Sequence, residues 1–99
     1  MKINKIIIAE PSPIISSGLL KYLEDINQLN IVSIVDNIDD LKDKMIIHTP
    51  DMLIINPLVL GYSNHSLIKQ FIQNNPSTYF IALISTYIDK SFLKYFKEI

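Results

Sequence analysis

Two apolar runs, each ending in a single polar residue followed by proline, constrain this chain more than any other feature. Lys5-Ile6-Ile7-Ile8-Ala9 leads into Glu10 and then Pro11-Ser12-Pro13, and Asp51-Met52-Leu53-Ile54-Ile55 leads into Asn56 and then Pro57. Short, continuous, Ile-rich runs bounded by proline read as strands buried on both faces, the pattern of a parallel sheet covered by helices. In an open sheet of that kind, residues just past the carboxyl ends of adjacent strands face the crevice where ligands are held. Glu10, Pro11 and Asn56 therefore occupy the positions that bear most on function.

The rest of the sequence supplies the elements such a sheet needs. The first strand is expected over about Lys2 to Ala9. Ser12 reads as a helix N-cap with Pro13 at the first helical position, where its missing N–H costs nothing. Ile15, Leu19, Tyr22 or Leu23, and Ile26 then recur at helical spacing. Ile31-Val32-Ser33-Ile34-Val35 reads as a second strand. Asn37 caps a second helix with Asp39 and Asp40 in its first turn, favourable against the helix dipole. Ile38, Leu41 and Met45 form its inner stripe, and Pro50 ends it. After the strand ending at Asn56, a loop through Gly61 leads to a helix capped by Ser63 or Asn64, with Leu67, Ile68, Phe71 and Ile72 on one side. Tyr79 to Ile84 is the fourth strand, ending in Ser85-Thr86. A last helix is expected from about Asp89, carrying Phe92, Tyr95 or Phe96, and Ile99. Strands and helices alternate throughout, which implies an α/β fold with right-handed crossovers.

Composition removes several classes of function. At 99 residues and 48% hydrophobic content, one domain is expected. A net charge of −1 leaves no electrostatic footprint for nucleic acid or a membrane surface, so neither is expected as a direct partner. All nine basic residues are lysine, so the bidentate guanidinium fork is missing. No cysteine is present, which excludes disulfides and thiolate metal sites and fits a cytoplasmic location. No apolar stretch reaches the length of a membrane span, and no signal peptide is read at the start.

The stretch from Lys5 to Leu19, with Glu10-Pro11-Ser12-Pro13 at its centre, resembles the opening of a bacterial response-regulator receiver domain of two-component systems. The likeness is to the LuxR-type group, whose output domain is a DNA-binding helix-turn-helix. Pro50-Asp51-Met52-Leu53-Ile54-Ile55-Asn56 resembles the family's third strand with its terminal phosphoacceptor. Gly61 matches a loop glycine, and Leu83-Ile84-Ser85 resembles the fourth strand with its switch hydroxyl. The resemblance runs in order along the whole chain and implies a flavodoxin-like sheet of order 2-1-3-4. The chain stops at Ile99 within the expected fourth helix. The expectation is thus a receiver-like domain over residues 1–99, C-terminally truncated, without the family's fifth strand and helix and with any output domain outside it.

The departures from the family carry the functional expectation. The acidic pair that follows the first strand becomes Glu10-Pro11, and the phosphoacceptor aspartate becomes Asn56. No residue matches the family's lysine, which leaves Ser85 and Glu10 as the positions that carry over. Phosphoryl transfer to a side chain needs an ionised oxygen, which a neutral amide lacks. Mg²⁺ is held by hard anionic oxygens, and Glu10 alone anchors it poorly. The expectation is a non-catalytic pseudo-receiver, without metal or other cofactor, that acts through protein–protein contacts and regulates transcription through an output domain outside it. The competing expectation is a Mg²⁺-dependent receiver that accepts phosphate from a histidine kinase. A third, an anion bound at the helix starts near Ser12 and Ser63, lacks a glycine-rich phosphate loop.

Plainer roles compete for the same residues. Glu10 can cap backbone donors of the first helix, Asn56 can replace aspartate as a neutral hydrogen-bonding group, and Ser85 can be a turn residue. His48, near a helix C-terminus, reads as structural, and His65 has no acidic neighbour in sequence to make it a phosphorelay histidine. A fourth strand left at the sheet edge would have unpaired backbone groups, and Phe92, Tyr95, Phe96 and Ile99 beside it would expose apolar area. A homo-oligomer through the fourth strand and helix is expected, with a histidine kinase or another signalling protein as partner.

Overall fold

The computed structural model describes residues 4–26, 28–60, 65–83 and 97–98. Its centre is a parallel strand, β1 (Asn4–Ala9), whose Ile6, Ile7, Ile8 and Ala9 are fully buried. Successive side chains of a strand face opposite ways. Ile6 and Ile8 therefore join Ile54 on one side of the sheet, while Ile7 and Ala9 enter the larger core on the other. Fully burying each such side chain contributes about 1.5–3 kcal/mol, which is why the run tolerates no polar residue.

Helix α1 (Pro13–Glu24) starts as its sequence dictates: the Ser12 hydroxyl accepts from the Ile15 N–H at 3.4 Å, and proline occupies the first turn. Leu19 and Leu23 pack on the Ile6–Ile8 side of the sheet. Ile26 falls outside the expected stripe: the helix has already ended, its N–H turns back to the Leu23 carbonyl, and the side chain is exposed. Tyr22 is exposed as well, so Leu23 holds the inward position.

Strand β2 (Leu29–Val35) runs parallel to β1 with a register shift: Ile6 faces Ile31, but Ile7 faces Ser33. Val32 is thus a bulge residue. Val32 and Val35 are three apart, which strict alternation would send to opposite faces, yet both join the same core. Helix α2 (Ile38–His48) is capped by the Asn37 side-chain oxygen, which accepts from the Asp40 N–H at 2.9 Å. It ends at Thr49, which takes a left-handed conformation (φ 40°) and donates its N–H to the Met45 carbonyl. Leu41 and Met45 are buried and Ile38 packs beside them.

Strand β3 (Met52–Ile55) lies against the other side of β1. The chain beyond Asn56 forms a 3₁₀ helix (Pro57–Leu60) in place of the expected open loop, and it buries Pro57, Val59 and Leu60. Helix α3 (His65–Gln73) places Phe71 in the core, edge-on to Phe80 at 6.0 Å. The expected cap residues Ser63 and Asn64, and Gly61, lie outside the described residues. Strand β4 (Tyr79–Ala82) pairs with β3.

The sheet order β2-β1-β3-β4 is as expected, but the absence of a fifth strand is corrected. A two-residue parallel strand, β5 (Lys97–Glu98), pairs with Ile81 and Ala82 of β4. The expected helix therefore does not continue through these residues, and β4 is not a bare edge. Pairing supplies partners for backbone groups that an edge would leave open. Among the described residues no helix is long and apolar enough to cross a membrane.

Candidate functional site

The register Ala9↔Ile55 brings the carboxyl ends of β1 and β3 side by side, so the next residue of each strand, Glu10 and Asn56, must meet. Backbone bonds extend the ladder through both: Asn56 N–H donates to the Ala9 carbonyl at 2.8 Å, and Glu10 N–H donates to the Val35 carbonyl at 2.9 Å. Glu10 is 3% exposed and Asn56 5%.

Their side chains are joined directly. The Asn56 Nδ2 donates to Glu10 Oε1 at 3.0 Å, and Asn56 Oδ1 accepts from the Leu58 N–H at 3.0 Å. The second carboxylate oxygen, Glu10 Oε2, accepts from the Ser12 N–H at 2.7 Å. The Asn56 carbonyl accepts from the Val59 N–H, closing the 3₁₀ turn. Each partner fixes the other: a backbone donor sets which end of the Asn56 amide is oxygen, and so aims its NH₂ at Glu10. The Glu10 carboxylate also lies at the start of α1, where negative charge is favoured.

Beside this pair opens a cleft of about 230 Å³ whose lining includes Glu10, Pro11, Ser16, Ile34, Asp36 and Asp40. Asn37 Nδ2 donates to Asp36 Oδ1 at 2.8 Å and to Asp40 Oδ2 at 3.0 Å. Here a single asparagine amide bridges two carboxylates. Asp36 and Asp40 are not among the residues that the sequence marks for the site, although Asp36 follows the last residue of β2 as Glu10 follows β1. The strand-end rule that picks out Glu10 would have found it.

The family's Mg²⁺ does not fit this donor set. Glu10 engages one oxygen with the Asn56 amide and the other with the Ser12 N–H, and an NH₂ group faces the carboxylate where a cation would need an acceptor. Among the described residues no group of three or more His, Cys, Asp or Glu could hold a metal ion. Pro11 is exposed in the bend between β1 and α1 and brings no donor. His48 ends α2, where its carbonyl accepts from Lys5 Nζ at 3.3 Å. The structure unites Glu10 and Asn56. Ser85, Phe92, Tyr95, Phe96 and Ile99 lie outside the described residues.

No family model and no curated protein matches the chain. Solved structures do. The isolated receiver domain of RcsB from Salmonella enterica serovar Typhimurium, determined with the phosphomimetic BeF3−, is similar at 25% identity and a TM-score of 0.78, over 95% of this chain and 70% of that one. RcsB bound to the promoter rprA, from the same organism, is 27% identical with a TM-score of 0.70, over 83% of this chain and 42% of that one. The chain spans less than half of that longer protein. The receiver domain of the putative response regulator NarL from Mycobacterium tuberculosis, at 12% identity, shares the fold, with a TM-score of 0.77 over 96% of this chain and 76% of that one. By strand order and helix placement the chain has the fold of response-regulator receiver domains, and its solved neighbours are receiver domains of that kind.

Proposed function

We propose that this chain is a pseudo-receiver: a non-catalytic signalling module that works through protein contacts in place of an aspartyl phosphate. The observation that carries the reading is the 3.0 Å bond from the Asn56 amide to Glu10. Asn56 stands at the end of β3, in the position of the family's phosphoacceptor, and a neutral carboxamide offers no ionised oxygen to a phosphoryl donor. Its NH₂ also satisfies the carboxylate that would otherwise attract a divalent cation. The site is closed by its own hydrogen bonds.

The module's place would be in a bacterial, cytoplasmic response regulator, with a histidine kinase or another signalling protein as partner. Its output would be transcriptional, through a DNA-binding domain beyond these residues. Support for that output comes from RcsB, which has been solved on promoter DNA. The test is the amide NMR spectrum of the chain titrated with Mg²⁺ and beryllofluoride. The spectrum is expected to stay unchanged. Saturable shifts at Glu10, Asn56 and Leu58 would support the competing reading, a Mg²⁺-dependent phosphorylatable receiver.

A further inference from the structure

We infer that the outer edge of β2 is an interaction surface for a second copy of this chain, paired antiparallel across a two-fold axis. The order β2-β1-β3-β4-β5 leaves the sheet with unlike ends. One end is β5, only two residues long, a very short edge of the kind that resists pairing. The other is β2, with seven residues, Leu-Asn-Ile-Val-Ser-Ile-Val, and neither charge nor proline among them. Among the described residues no strand lies beyond it.

Backbone directions show what that edge offers. The Val35 carbonyl accepts from the Glu10 N–H, so Val35 points its backbone groups into the sheet. In a strand the next residue points the opposite way, so Ile34 presents its N–H and carbonyl outward. Its side chain is 39% exposed, leaving an apolar, β-branched residue beside open hydrogen-bonding groups.

A second copy fits this edge because Leu29 to Val35 place no charge within the strand itself, Asp36 lying just past its end, and a two-fold contact uses the same patch on both partners. Among the described residues each chain has one long uncharged edge, so pairing ends at a dimer instead of propagating. The Val32 bulge adds twist that limits the pairing to part of the strand. This surface lies at the opposite end of the sheet from the fourth strand, and it does not depend on whether the Asn56 site accepts phosphate.

The test is sedimentation equilibrium of the chain at micromolar concentration, beside Ile34→Lys and Ile34→Pro. Lysine places charge on the edge of both copies. Proline removes an outward N–H that β1 does not use, so sheet pairing within the chain is kept. The expected result is a wild-type dimer weakened roughly tenfold or more in both variants, with circular dichroism unchanged. If Ile34→Pro fails to fold, Ile34→Lys decides. Hydrogen exchange gives a second readout: the Ile34 amide is expected to exchange more slowly as dimer forms. A monomeric wild type, a dimer unaffected by Ile34→Lys, assembly that grows past the dimer, or exchange at Ile34 indifferent to dimer formation would overturn the inference.

Discussion

The neutral carboxamide of Asn56 gives the buried Glu10 carboxylate a hydrogen-bond donor at 3.0 Å. At the residue scale the consequences come from counting donors and acceptors. In Glu10→Gln one carboxylate oxygen becomes NH₂, so either the Asn56 amide or the Ser12 N–H meets a donor. A loss of about 1–3 kcal/mol is expected in urea denaturation, and an unchanged midpoint would mean the pair contributes nothing. Asn56→Asp replaces the donor with a second carboxylate at the same contact, so it should destabilise the fold by a similar ~1–3 kcal/mol. Thr49 offers the opposite case. It is β-branched in a left-handed conformation (φ 40°), so Thr49→Gly should raise stability by about 0.5–1 kcal/mol after glycine's entropy is set against the relief of strain. A lower midpoint for that variant would show that the threonine side chain holds the α2 end in another way.

Helix starts and buried strands are readable from sequence because their causes are local. Ser12-Pro13 and Asn37 cap the helices they are expected to cap. Asn37→Ala is expected to cost about 1 kcal/mol, with a range of 0.5–2. Asn37 also bridges Asp36 and Asp40, so a cost at the upper end, reduced by added salt, would fit loss of that bridge along with the cap. An effect near zero would contradict the capping geometry. Features set by pairing partners far along the chain stay hidden in the sequence. Val32 becomes a bulge because of the register β1 imposes. Lys97–Glu98 becomes a strand because β4 offers an edge, whereas the aromatic spacing around it suggests a helix. The turn after Asn56 reads as loop in sequence, although Pro57, Val59 and Leu60 are apolar and become buried.

Across the whole molecule, the sheet order and the meeting of Glu10 with Asn56 are legible because parallel strands in register place their end residues together. The sequence marks Asp40 only as a helix-dipole partner and does not mark Asp36, since it does not show that the end of β2 and the start of α2 line the same cleft as Glu10. The candidate assembly surface also shifts. The expected edge at β4 carries β5, and the long uncharged edge is β2 at the other end. The central proposal is chemical: that the amide–carboxylate bond between Asn56 and Glu10 closes the site at which a receiver takes up phosphate. Intact-mass measurement after incubation with a small-molecule phosphodonor and Mg²⁺ tests it most directly, with Asn56→Asp alongside. The account predicts no added phosphoryl group on the wild-type chain and slow or no labelling of the variant, because Pro11 supplies no second carboxylate for the metal. A phosphoryl group on the wild-type peptide that contains Asn56 would contradict it.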